Sequence, residues 1–210
     1  MNFLEAGSFE ELFKINLHQY NIGFMDLRDF EPQGLRQYLT ENFNRLMPFY
    51  KMQIEKVDFE KDLLLIDKHF SHLPHSDEKF ELIQFVKFLV SNYADVTDAP
   101  ILGLSIEIVK NDLCSLFHCD MNSLRLVYPL LGPGTLWVKD EDVNRNYLGL
   151  RRNDLVVNDS SKINQVPLKT LAVLKGNGFY AGANRGVVHA SPKISTTQEK
   201  RILLRIESLY

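Results

Sequence analysis

Hydrophobic spacing along the chain changes near residue 100, from a recurrence of three or four to an alternation of two. At the start, Ser8 followed by Glu11 has the form of a capping box, and Phe9, Leu12 and Phe13 repeat at helical spacing, which predicts a short first helix. The stretch NIGFMDL at 21–27 reads as a brief strand. Pro32 then opens a helix whose apolar stripe is Leu35, Tyr38, Leu39, Phe43 and Leu46, and which ends near Pro48. Residues 50–70 fit two templates, since KMQIEKV alternates weakly and FEKDLLLIDKHF is compatible with a helix. Ser76 with Asp77 and Glu78 starts another helix, whose stripe runs through Leu82, Phe85, Val86, Leu89 and Tyr93.

From Pro100 onward the runs ILGLSIEIV, CSLFHCDM, LRLVYPLL, TLWV, LAVLKG and RILLRIE are short, β-rich and separated by Asn, Asp, Gly and Pro. Helices followed by many short strands predict an α+β fold, with a helical region over 1–98 packing on a sandwich or barrel over 99–210. Apolar residues at 45% and charged residues at 24% are ordinary for a globular chain. A net charge of -3 gives no broad cationic field, so nucleic acid is not an expected partner. Acidic residues stand where a secretion signal needs a basic flank, and no run approaches the ~20 apolar residues of a membrane span. A soluble cytoplasmic protein is expected, with no membrane partner. Cys114 and Cys119 are an odd spacing apart and would face opposite sides of one strand, which argues against a disulfide and fits a reducing compartment.

Candidate chemistry centres on FHCD. On a strand His118 and Asp120 share a face, and their spacing suits two ligands of a facial triad, in which two histidines and a carboxylate hold Fe(II) and leave positions open. A third ligand must come from a later strand, and His189, at the end of GVVH and after the glycine-rich KGNGFYAGANRG, is the only later histidine. In RILLRIE, Arg201 and Arg205 share one face, and an inward arginine can clamp a carboxylate with two parallel hydrogen bonds; Arg125 is a further inward candidate. His69, His72 and His75 form a rival cluster, but Pro74 breaks the helix before His75 and a solvated helix end is the expected reading. The glycines of GPGTLW lack the Lys-Ser/Thr ending of a phosphate loop and read as a turn.

His118-x-Asp120, then Arg125 and Tyr128, GPGTLW, LAVLKG, His189 and Arg201 together resemble the motif series of the Fe(II)- and 2-oxoglutarate-dependent oxygenases, prolyl-hydroxylase-like branch. The wording FHCD, GPGTLWV, LKG and VHASP is also similar to an uncharacterised bacterial family of domains of unknown function. The resemblance spans 100–207 and implies a double-stranded β-helix, or jelly-roll barrel, supported by the N-terminal helices. It implies that His118, Asp120 and His189 bind Fe(II), that Arg201 holds the distal carboxylate of 2-oxoglutarate, and that Arg125 and Tyr128 line the cosubstrate pocket. Arg201 lies twelve residues after His189, beyond the common family spacing, so Arg205 or Arg125 is an alternative for that role. The implied activity is that of a dioxygenase of hydroxylase type acting on a small molecule or a protein. The same ligands also serve cupin-like proteins holding another divalent metal without redox chemistry, and a barrel can persist as a non-catalytic interaction module.

Overall fold

Period-two patterning after residue 100 becomes the centre of one large sheet in the computed structural model, which describes residues 3–14, 20–109, 112, 114–180, 182–195 and 199–209. In chain order the elements are β1 (Phe3–Ala6), α1 (Phe9–Lys14), β2 (Ile22–Asp26), α2 (Leu35–Glu41), β3 (Phe49–Glu55), α3 (Phe59–Phe70) and α4 (Asp77–Thr97). There follow β4 (Ile101–Val109), β5 (Leu124–Leu131), β6 (Leu136–Val138), α5 (Asn153–Val156), β7 (Ile163–Gln165), β8 (Thr170–Lys175), β9 (Val188–Ala190) and β10 (Arg201–Leu209). The large sheet runs β1-β2-β8-β5-β10-β4-β3, antiparallel except for β1 beside β2; a small antiparallel sheet runs β7-β6-β9. The α+β class thus holds. The first 98 residues supply α1 to α4 and also three strands that flank the later ones in the same sheet.

Both faces of the large sheet are covered. Leu126, Tyr128 and Leu130 of β5, Leu171 and Val173 of β8, and Ile202, Leu204 and Ile206 of β10 form one face, which packs with Leu12, Leu39, Ile66 and Leu89 of α1 to α4 into the main core. The intervening residues, Val127, Ala172, Leu174 and Leu203, meet Trp137 of β6 in a second core between the two sheets. Ser76 caps α4 by accepting from the Lys79 amide at 3.2 Å, and the stripe from Leu82 to Tyr93 lies buried, as the spacing predicts.

The run from Cys114 to Met121, expected as a strand, is not one. Only His118 makes a ladder pair, a reciprocal bridge to His189 with both N···O distances 3.0 Å. Neighbouring backbone groups are taken by a side chain instead: Asn153 Oδ1 accepts from the Phe117 amide at 2.9 Å and Asn153 Nδ2 donates to the Ser115 carbonyl at 2.8 Å. Cys114 has φ 61, and both cysteines are free thiols. Among the described residues, no helix is long and apolar enough to cross a membrane.

Candidate metal centre

The bridge between His118 and His189 brings two histidines side by side, with ring centroids 4.5 Å apart. Each ring is held through Nδ1, against the Leu116 carbonyl at 2.8 Å for His118 and the Val187 carbonyl at 3.2 Å for His189. An Nδ1–H bonded to a backbone carbonyl leaves the Nε2 lone pair for a metal. Those Nε2 atoms converge on Asp120, 3.8 Å from Oδ1 for His118 and 3.4 Å from Oδ2 for His189. The three residues offer ligand atoms within 4.8 Å of one another, and they are the only such group of His, Cys, Asp or Glu among the described residues. Two imidazole nitrogens and a carboxylate suit a first-row divalent ion, so the residues present fit the metal that the sequence suggests.

Asp120 is set by the glycine-rich loop. Its carbonyl accepts from the Asn177 amide at 2.7 Å, and the Gly176 amide donates to the Ser123 carbonyl at 2.9 Å. A Cβ on Gly176 would stand 2.1 Å from the Asn122 carbonyl oxygen and 2.8 Å from that of Asp120, so no other residue permits this approach. Burial pushes the Asp120 carboxyl up, but the contact with the His189 ring and the positive charge of Arg125 outweigh it and hold it well below the usual carboxylate range. Burial and the neighbouring His189 lower His118, favouring the neutral imidazole that a metal ligand requires.

The structure separates the remaining candidates. Arg125 donates to Asp120 Oδ2 and, through Nη2 at 2.7 Å and Nε at 3.3 Å, to Glu207 Oε2, so its fork is occupied by two carboxylates. Tyr128 does not line a pocket between the sheets: it lies on the helix-covered face, fully buried, donates to Glu31 Oε2 and stacks edge-on against Phe85 at 5.3 Å. Its position one residue from Val127 puts it on the wrong side of the pleat. Arg205 is ion-paired with Glu107.

Arg201 is 0% exposed, yet its partners are all neutral. Nε donates to the Pro133 carbonyl at 2.8 Å, and the Nη atoms reach Ser191 Oγ and Thr135 Oγ1 at 3.3 Å each. Burial pushes its guanidinium down to about 10. An arginine stays charged even so, and the result is a desolvated cation whose hydrogen-bond partners among the described residues are all neutral, with Glu107 acting on it only through its charge. Gly132, at φ 74, builds this cradle: a Cβ there would lie 2.1 Å from the Lys200 carbonyl oxygen. Sequence reasoning named the arginine and missed Thr135, Ser191 and the Pro133 carbonyl, although they sit in the GPGT and HAS stretches it had singled out.

Among solved structures, the dioxygenase for auxin oxidation 1 from Arabidopsis thaliana, in its 2-oxoglutarate complex, resembles the chain with TM-score 0.58 at 10% identity, covering 100% of this chain and 92% of its own. A prolyl-4-hydroxylase from Pseudomonas putida gives TM-score 0.49 at 9% identity, covering 99% of this chain and 97% of its own. A Neurospora crassa protein, solved in complex with alpha-KG and 5-formyluracil, gives TM-score 0.45 at 14% identity over 98% and 83% of the two chains. At 10% identity the likeness to the Arabidopsis dioxygenase is one of fold. No curated protein matches the chain in sequence. Residues 19–207 match the model of the family described as a protein of unknown function, DUF1826, and the chain belongs to that family.

Proposed function

We propose that the protein is an Fe(II)- and 2-oxoglutarate-dependent oxygenase of hydroxylase type. The convergence of His118 Nε2, Asp120 and His189 Nε2, with both rings fixed through Nδ1, carries the reading. The two sheets, which share the Trp137 core, support the interpretation of the strands as a jelly-roll barrel. Three ligands on one side of an ion leave the opposite positions open. Fe(II) bound there would supply the redox chemistry, coupling reduction of dioxygen and oxidation of a substrate C–H bond to decarboxylation of 2-oxoglutarate to succinate.

The chain's own residues bind and orient. Arg201 would receive the distal carboxylate of 2-oxoglutarate, with the Thr135 and Ser191 hydroxyls beside it; a buried positive charge hydrogen-bonded to no carboxylate among the described residues is what an incoming carboxylate completes. Val127, Leu203 and Trp137 form an apolar wall between the sheets that keeps water from these polar contacts.

An anaerobic titration with Fe(II) and then 2-oxoglutarate tests the proposal. A saturating charge-transfer band, lost in His118→Ala while the variant remains folded, is the expected result. Tight binding of another divalent metal with no band at all would sink the oxygenase reading in favour of a non-redox metal protein.

A further inference from the structure

Arg125 stands beside the candidate centre without being free to serve a cosubstrate. Its guanidinium lies between Asp120 Oδ2 and Glu207 Oε2, and all three side chains are largely buried, at 14%, 10% and 8% exposure for Arg125, Asp120 and Glu207. Arg125 on β5 and Glu207 on β10 are direct cross-strand partners, so the sheet register itself aligns the pair. Glu207 Oε2 also accepts from Asn122 Nδ2 at 2.8 Å, and Oε1 faces Lys51 Nζ at 3.6 Å. Asp120 sits in the irregular segment after His118, where no strand pairing orients its side chain.

We propose that Arg125, held by Glu207, is a positioning residue that occupies Asp120 Oδ2 and so presents Oδ1 as the single carboxylate ligand of the metal. This rests on the metal reading above. A carboxylate left to itself can give both oxygens to one ion; claiming one of them keeps an additional coordination position open for the cosubstrate. Partners of this kind around a ligand set its orientation, and their loss typically weakens metal binding roughly 10- to 100-fold.

The test is a calorimetric titration with Co(II) of the full chain and of the variants Arg125→Gln, Arg125→Lys and Glu207→Gln, together with the Co(II) visible spectrum and the metal-free thermal midpoint. Glu207→Gln leaves Asp120 and Arg125 intact, so it keeps the test open should Arg125→Gln fail to fold. Expected are Co(II) affinities roughly 10- to 100-fold weaker in Arg125→Gln, a smaller loss in Glu207→Gln, partial recovery in Arg125→Lys, and an altered visible spectrum in Arg125→Gln, which a purely structural role would not produce. Wild-type affinity and spectrum in folded Arg125→Gln or Glu207→Gln would overturn the inference alone. Loss of 2-oxoglutarate binding in Arg125→Gln with Co(II) binding untouched would also overturn it, returning Arg125 to the cosubstrate. No Co(II) binding by the wild-type chain would instead overturn the metal reading and this inference with it.

Discussion

Arg201 is a charge sealed inside the protein against a carbonyl and two hydroxyls. Burial disfavours its charged form, so at neutral pH the side chain is a cost to the fold that an anion in contact would offset. Replacing it with methionine keeps the bulk and removes that cost. The metal-free thermal midpoint of Arg201→Met should therefore stay at or above that of the wild type. With Mn(II) in place of iron, 2-oxoglutarate at a hundred times its Kd should stabilise the wild type by about 2.7 kcal/mol, roughly 5–10 °C in a chain of this length, and should not move the variant. A shift that survives in Arg201→Met would place the cosubstrate elsewhere. The grouping of His118, Asp120 and His189 was legible from residue type and order, because a single histidine follows the His-x-Asp pair. Which of three arginines faces a carboxylate was not, since that depends on Glu107 and Glu207, acids brought close only by strand pairing.

Elements explain the errors of facing. Alternation along β5 and β10 located both strands and sorted their residues into two sets, but the large sheet is buried on both sides, under helices on one and the small sheet on the other, so both sets contain apolar residues. Nothing in the pattern says which set looks at the centre. Tyr128 fell to this ambiguity, as FHCD fell to another: three alternating residues look like a strand whether their amides pair with a neighbouring strand or, as here, with Asn153. β1 and β7 were missed because four and three residues carry too little pattern. The corrected place of Tyr128 has a consequence. It joins Arg36 at 2.8 Å and Lys169 at 3.4 Å in satisfying a Glu31 carboxylate whose side chain is 1% exposed, tying the segment before α2 to β5. Tyr128→Phe removes one donor to a buried charge and should cost about 1.5–3 kcal/mol in urea unfolding, with Mn(II) and 2-oxoglutarate affinities unchanged. A tenfold loss of 2-oxoglutarate affinity would show instead that the hydroxyl serves the cosubstrate.

For the molecule as a whole, the change in sequence texture near residue 100 is crossed by strand pairing. β3 pairs with β4 from Phe49↔Ile106 to Glu55↔Ile101, and β2 pairs with β8 from Ile22↔Leu174 to Asp26↔Thr170, so the strands after residue 100 are hydrogen-bonded on two sides to the half before it. The face carrying Leu104, Ile106, Leu126, Leu171, Ile202 and Leu204 packs in the main core against the helices of the first 98 residues. Each such side chain contributes roughly 1.5–3 kcal/mol when buried, so exposing six of them forfeits on the order of 9–18 kcal/mol. That matches or exceeds the ~5–15 kcal/mol by which a domain is usually stable. A fragment of residues 99–210 should therefore fail to fold alone, giving a collapsed amide spectrum and no saturable Mn(II) binding, even though it contains every ligand of the candidate centre. The intact chain should unfold in one calorimetric transition whose van't Hoff and measured enthalpies agree. Two resolved transitions, or a fragment with dispersed amide signals that binds Mn(II), would mean that the metal-binding half is a domain in its own right and that the first 98 residues only cover it.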